Sequence, residues 1–133
     1  MTSADSTVVI VDDEPDLLDE FIETINGAGL LCAGYQHAQE AISRVRDDSS
    51  VDILITDHRM PGISGIDVVR QLLAETREPR HLQIIMITGH AFPDIINGAF
   101  ALNIFDFLRK PVLANTILDC IRAARHYRRA ILL

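Results

Sequence analysis

Four short runs of mainly apolar residues each break off at residues able to do chemistry. Thr7-Val8-Val9-Ile10-Val11 stops at Asp12-Asp13-Glu14, and Ile53-Leu54-Ile55-Thr56 stops at Asp57. Ile84-Ile85-Met86-Ile87 stops at Thr88-Gly89, and Phe105-Asp106-Phe107-Leu108-Arg109 stops at Lys110-Pro111. Runs this short and this rich in Val and Ile, separated by segments of helical period, read as buried strands of a parallel sheet. Open parallel sheets collect their sites at the carboxyl ends of the strands. Three carboxylates, a hydroxyl and an ammonium are therefore expected to converge.

The segments between the runs supply the crossovers. Leu17, Leu18, Phe21, Ile22, Ile25 and Ala28 recur at helical spacing, with Asp16, Asp19, Glu20 and Glu23 largely between them, and Gly27 and Gly29 mark the stop. Leu30–Ala33 is a weaker strand, and Gln39–Arg46 reads as a second helix. His58-Arg59-Met60-Pro61-Gly62-Ile63-Ser64-Gly65 has the composition of a loop. Ile66, Val69, Leu72 and Leu73 predict a third helix, closed near Glu78-Pro79. Pro93 opens a fourth that carries Ile95, Ile96, Ala99, Phe100 and Leu102, and Ile117, Leu118, Ile121 and Ala124 stripe a fifth. Right-handed crossovers then give an α/β fold with a doubly wound five-stranded parallel sheet, flavodoxin-like, of order 2-1-3-4-5, and five helices.

The 133 residues suit one domain, 1–133, with a core over about 7–127 and a helical extension over 128–133 toward a partner or a missing effector. No apolar stretch reaches the roughly 20 residues needed to span a bilayer, and the N-terminus lacks the basic start of a secretory signal. A cytoplasmic chain with no membrane contact is expected. Cys32 and Cys120 are far apart, outside any metal-ligand spacing, and read as small buried apolar residues. The net charge of −7 argues against direct nucleic-acid binding. Its distribution is uneven: residues 1–30 hold eight acids and no Lys or Arg, whereas Arg109 onward holds six bases against Asp119 alone.

Asp12, Asp13 and Asp57 brought together repel one another, and a hard divalent cation relieves that repulsion. Mg²⁺ suits an all-oxygen set with few carboxylates, completed by water and phosphate oxygens. A carboxylate can also attack phosphorus to give an aspartyl phosphate, with Lys110 and the Thr88 hydroxyl balancing charge on the phosphoryl oxygens. Singly, each residue has a plainer role. Asp12-Asp13-Glu14-Pro15 can cap a helix, Asp57 a loop, and Lys110 can be a solvated charge. Capping does not require all of them at four strand ends.

In that order and spacing, Asp12-Asp13-Glu14, Asp57 with Met60-Pro61-Gly62 and Gly65, Thr88-Gly89 and Lys110-Pro111 resemble the receiver domains of bacterial two-component response regulators, over essentially the whole chain. The resemblance implies that Asp57 takes a phosphoryl group from a phosphohistidine of a sensor histidine kinase or a histidine phosphotransfer protein. It implies direct Mg²⁺ ligation by Asp13, Asp57 and the Arg59 backbone carbonyl, with Asp12 acting through water. It also implies that Thr88 and Lys110 read the phosphoryl group, that Lys110–Pro111 is a candidate cis bond, and that an aromatic on the last strand, here Phe107, rotates inward. Phe107 has no hydroxyl, so any switch acts through packing; a plain core role is its alternative. Arg59 and His90 flank the path of the water that would hydrolyse the phosphoryl group, and as a bland alternative are solvated loop residues.

These residues make a phosphorylation-dependent signalling switch the leading reading. The protein would catalyse its own phosphoryl transfer rather than serve as an enzyme on other substrates, with a changed surface around the fourth helix, fifth strand and fifth helix as output. A phosphate-independent interaction module and a metal-dependent aspartyl phosphatase are the alternatives. The phosphatase usually needs a second acid two residues after the nucleophile, where Arg59 stands. Arg122, Arg125, Arg128 and Arg129 make the last helix basic before Ile131-Leu132-Leu133. That end suits a homodimer through the fourth helix, fifth strand and fifth helix or through helix five alone, a lead into an effector, or a fold back onto the domain.

Overall fold

The computed structural model describes residues 6–75, 81–89 and 102–132. In chain order these form β1 (Thr7–Val11), α1 (Pro15–Gly27), β2 (Leu31–Tyr35), α2 (Ala38–Asp47) and β3 (Val51–Asp57). There follow β4 (Arg59–Met60), β5 (Ile63–Ser64), α3 (Gly65–Glu75), β6 (Gln83–Thr88), β7 (Asp106–Arg109) and α4 (Ala114–Ile131). The five long strands are all parallel, in the order β2-β1-β3-β6-β7. Counting long strands alone, this is the expected 2-1-3-4-5 sheet.

Alternation along each strand divides the core in two. Val9, Val11, Leu54 and Met86 pack on one face against Ala41, Ile42 and Val45 of α2 and Val68, Val69 and Leu72 of α3. Val8, Ile10, Ile53, Ile55, Ile85 and Ile87 point the other way, onto Leu18, Phe21 and Ile25 of α1 and Ile117, Ile121 and Ala124 of α4. Both faces of β1, β3 and β6 are thus dry, which is why these strands read as continuous apolar runs. Phe107 is half-buried and belongs to the α2–α3 side.

Several expectations shift. The predicted fourth helix, with Pro93, Ile95, Ile96, Ala99 and Phe100, lies outside the described residues, as do the breaker Glu78-Pro79 and His90. Among the described residues there are four helices, and Leu102 sits in a turn. The second strand starts at Leu31 and runs to Tyr35: it lies at the sheet edge, where hydrogen bonding to β1 sets its length more than apolar content does. The loop after Asp57 contains a small hairpin, β4–β5, turning at Pro61-Gly62. Gly62 there has φ +78°, which suits the second central position of a type II turn after proline. Ala28 is exposed at the C-cap of α1 rather than in its stripe. Cys120 is buried and Cys32 half-buried, and burial pushes both thiols up to about 12.

Arg125 is the clearest correction. It does not join the basic surface of the last helix. It is buried, and its Nε and Nη2 donate to the two carboxylate oxygens of Asp52 at 2.8 and 3.0 Å, tying α4 to the start of β3. Among the described residues the apolar end does not fold back: α4 continues to Ile131, and Ile131 and Leu132 are exposed.

Candidate functional site

Main-chain hydrogen bonds at the carboxyl edge of the sheet fix the roots of the site loops. Asp12 N–H donates to Tyr35 O at 3.1 Å, His58 N–H to Ile87 O at 2.9 Å, and Lys110 N–H to Thr88 O at 2.9 Å. Asp57 pairs in register with Ile87, one residue before Thr88, and Thr88 pairs with Arg109, one before Lys110. The strand ends therefore line up, and the chemistry-bearing residues follow from that alignment. The Asp57 carbonyl is held by the Thr56 hydroxyl at 2.9 Å. Lys110–Pro111 is cis.

The loop after Asp57 folds back tightly. Gly65 N–H donates to His58 O at 2.8 Å, and a Cβ at Gly65 would stand 2.7 Å from Asp57 O and 3.0 Å from His58 Cα. Only a residue without a side chain lets α3 begin so close to the strand end. Ser64 Oγ accepts from Asp67 N–H at 3.1 Å while Ser64 N–H donates to Asp67 Oδ2 at 3.3 Å, a reciprocal cap that starts α3.

Asp12 and Asp57 are buried, 1% and 4% exposed, and Asp13 is partly buried. Each offers a carboxylate oxygen within 4.8 Å of those of the other two. Lys110 Nζ donates to Asp57 Oδ2 at 3.1 Å and lies 3.7 Å from Asp12 Oδ2 and 3.6 Å from Glu14 Oε1. One ammonium faces three acids. Glu14 was not singled out as a partner of Lys110 from sequence, because it shares a run with two stronger candidates.

The capping alternative for the acidic run does not hold. Glu14 occupies the N-cap of α1 and makes no side-chain cap, and Asp12 Oδ1 instead accepts from Glu14 N–H at 2.9 Å. Asp12 Oδ2 is buried and, among the described residues, accepts no hydrogen bond, with Lys110 Nζ 3.7 Å away. Burial raises the Asp12 pKa, opposed by the Glu14 amide and Lys110 and reinforced by Asp57 and Glu14. For Lys110, burial pulls downward, but the hydrogen bond to Asp57 and the charges of Asp12, Asp57 and Glu14 outweigh it and leave the pKa raised. An orphaned carboxylate oxygen in a crowded acidic pocket is the condition a cation relieves, and this hard-oxygen set fits Mg²⁺.

Thr88 is buried at the end of β6, 2% exposed, next to these groups in register. Arg59 lies on β4 with an exposed side chain. His58, given no chemistry from sequence, has a buried Nδ1 with no hydrogen-bond partner. Its pKa is lowered by burial and by Arg59, against the pull of Asp57 and Asp67.

Comparison with known proteins agrees with this fold. The family model described as the response regulator receiver domain matches residues 8–122. The C4-dicarboxylate transport transcriptional regulatory protein DctD of Pseudomonas aeruginosa is 32% identical over 129 residues, covering 97% of this chain and 27% of that protein. The phosphoglycerate transport system transcriptional regulatory protein PgtA of Salmonella typhimurium is 31% identical, over 99% of this chain and 31% of its own length. The chain thus spans about a quarter to a third of these curated relatives. Among solved structures, a response regulator receiver domain protein from Clostridium thermocellum is 28% identical with a TM-score of 0.80, covering 96% of this chain and 99% of the other. A response regulator receiver protein from Pseudomonas putida is 28% identical with a TM-score of 0.81, over 89% and 96%.

Proposed function

This chain belongs to the response regulator receiver domains, signalling domains of two-component systems, and on that premise we propose that it is switched by a phosphoryl group carried on Asp57. The observation that carries the reading is the buried Asp57 carboxylate, 3.1 Å from Lys110 Nζ and among carboxylates that include the orphaned Asp12 oxygen.

In the proposed reaction an Asp57 carboxylate oxygen attacks the phosphorus of a phosphohistidine. The new O–P bond forms as the P–N bond breaks, and the histidine of the donor leaves with the electron pair and takes a proton. Asp13, Asp57 and the Arg59 carbonyl would hold Mg²⁺, with Asp12 acting through water, and the ion would supply charge neutralisation for the phosphoryl oxygens. Lys110 moves from its pairing with Asp57 toward a phosphoryl oxygen, and the Thr88 hydroxyl donates to another. The donor is a sensor histidine kinase or a histidine phosphotransfer protein. The output is a changed surface on the predicted fourth helix, β7 and α4, with Phe107 repacking inward as Thr88 moves. Arg59 and His90 lengthen the life of the phosphorylated state by excluding the attacking water.

The exposed side chain of Arg59, two residues after Asp57, offers no acid for the phosphatase alternative. Beryllofluoride, which mimics a phosphoryl group on a carboxylate, tests the whole reading. One equivalent should bind with Mg²⁺ present and shift amide resonances of β6 and β7, and binding should vanish in Asp57→Asn. Absence of binding to the native chain would favour the phosphate-independent module.

A further inference from the structure

Glu14 is the most exposed of the acids around Lys110, and neither capping nor the acidic cluster accounts for it. It sits at the N-cap of α1 without a side-chain cap, and it does not join the three aspartates whose oxygens lie within 4.8 Å of one another. Among the described residues its carboxylate makes no hydrogen bond, and its ion-pair partner is Lys110 Nζ, 3.6 Å from Oε1. Side-chain exposure rises outward along these contacts: Asp57 is 5% exposed, Lys110 22% and Glu14 63%. A donor arriving from solvent therefore meets the Glu14 carboxylate before the ammonium or the nucleophile. The charges behind it balance without it. Asp12, Asp13 and Asp57 are three negative charges, which a divalent ion and Lys110 would offset. Glu14 is the charge left over.

In-line transfer puts the leaving group opposite the attacking Asp57 oxygen, on the outward side where Glu14 stands. There the charge of the leaving group matters. Phosphoramidate and a protonated phosphohistidine carry positive charge on the nitrogen group that departs. Acetyl phosphate is a dianion whose leaving group is a carboxylate. We propose that Glu14 is a specificity-determining residue that favours donors with a cationic P–N nitrogen over anionic acyl phosphates. The proposal rests on transfer to Asp57 as read above and adds the class of donor. With a P–N donor the Asp57 O–P bond forms as the P–N bond breaks, and the electron pair discharges the cationic nitrogen group as it leaves. With an acyl phosphate the same O–P bond forms, the P–O bond to the acyl group breaks, and the electron pair leaves on acetate. That negative charge develops toward Glu14, which repels it, whereas the cationic nitrogen is attracted. Glu14 is exposed, so salt screens the preference.

Initial rates of Asp57 labelling in the full chain, followed by intact mass at saturating Mg²⁺ with phosphoramidate or acetyl phosphate in turn, test it. Glu14→Gln should raise the acetyl phosphate rate constant at least about threefold more than the phosphoramidate one, and Glu14→Lys should widen that gap. Added salt should shrink the native preference for phosphoramidate and change that of Glu14→Gln less. Mg²⁺ affinity measured by calorimetry should fall far less in Glu14→Gln than in Asp13→Asn. Two results overturn the proposal. One is that both donor rates change by a common factor, which makes Glu14 only a positioning residue for Lys110. The other is a loss of Mg²⁺ affinity as large as that of Asp13→Asn, which makes it a metal ligand. A native chain labelled by neither donor removes the functional reading and this proposal together. Labelling of Asp57 with a donor ratio indifferent to Glu14 removes the proposal alone.

Discussion

Asp12 and Asp13 are neighbours with different surroundings, and that difference should divide their roles. Asp12 is buried and already gives one oxygen to the Glu14 amide, whereas Asp13 is only partly buried and can keep both oxygens for a cation and its waters. Isothermal titration should therefore show Asp13→Asn losing more Mg²⁺ affinity than Asp12→Asn, and equal losses would remove the distinction. Gly65 belongs to the same scale. Its substitution by Ala places a methyl group against the Asp57 carbonyl and the His58 main chain, which must shift. Overpacking of this kind costs about 1–3 kcal/mol, and urea unfolding of Gly65→Ala should show it together with weaker Mg²⁺ binding. The site residues were legible in the sequence because each ends an apolar run. His58 was not, because a histidine beside an aspartate carries no signal of the burial that leaves its Nδ1 without a partner.

Between elements, the least legible feature is the Asp52–Arg125 pair. Its members are 73 residues apart, and each reads from sequence as an ordinary surface charge, Arg125 most of all within an arginine-rich helix. Only the crossing of α4 over the start of β3 buries them together. Removing one partner leaves an uncompensated buried charge, so Arg125→Met should destabilise by about 3–5 kcal/mol, and Asp52→Leu with Arg125→Met should recover most of the loss. Chemical denaturation of the native chain and these two variants measures this directly. The α2–β3 connection gives a pH signature. Hydrogen bonds from the Ser50 hydroxyl and amide, with Arg44 beside them, hold the Asp48 carboxyl at about 2 against an ordinary 3.8. A folded pKa below the unfolded one means the stabilisation is present above pH 3.8 and is lost as pH falls toward 2. Asp48→Asn should therefore melt lower than the native chain near neutrality, and the two melting curves should converge over that acid window.

Over the whole molecule, sheet order followed from a few local facts: short dry strands, helical segments between them, and the handedness of crossovers. The β4–β5 hairpin did not, since two-residue strands leave no period to read. The edge strand β2 was placed short because Gly34 and Tyr35 interrupt its apolar character, while its pairing with β1 extends it through both. Convergence of the strand ends is the central structural fact, and transfer of a phosphoryl group to Asp57 is the central claim built on it. Intact-mass measurement after incubation with phosphoramidate, a small donor whose P–N bond stands in for phosphohistidine, tests that claim most directly. With Mg²⁺ the chain should gain one phosphoryl group, mapped to Asp57, and Asp57→Asn should gain none. A native chain that stays unmodified, or an Asp57→Asn chain labelled as fully as the native one, would contradict it.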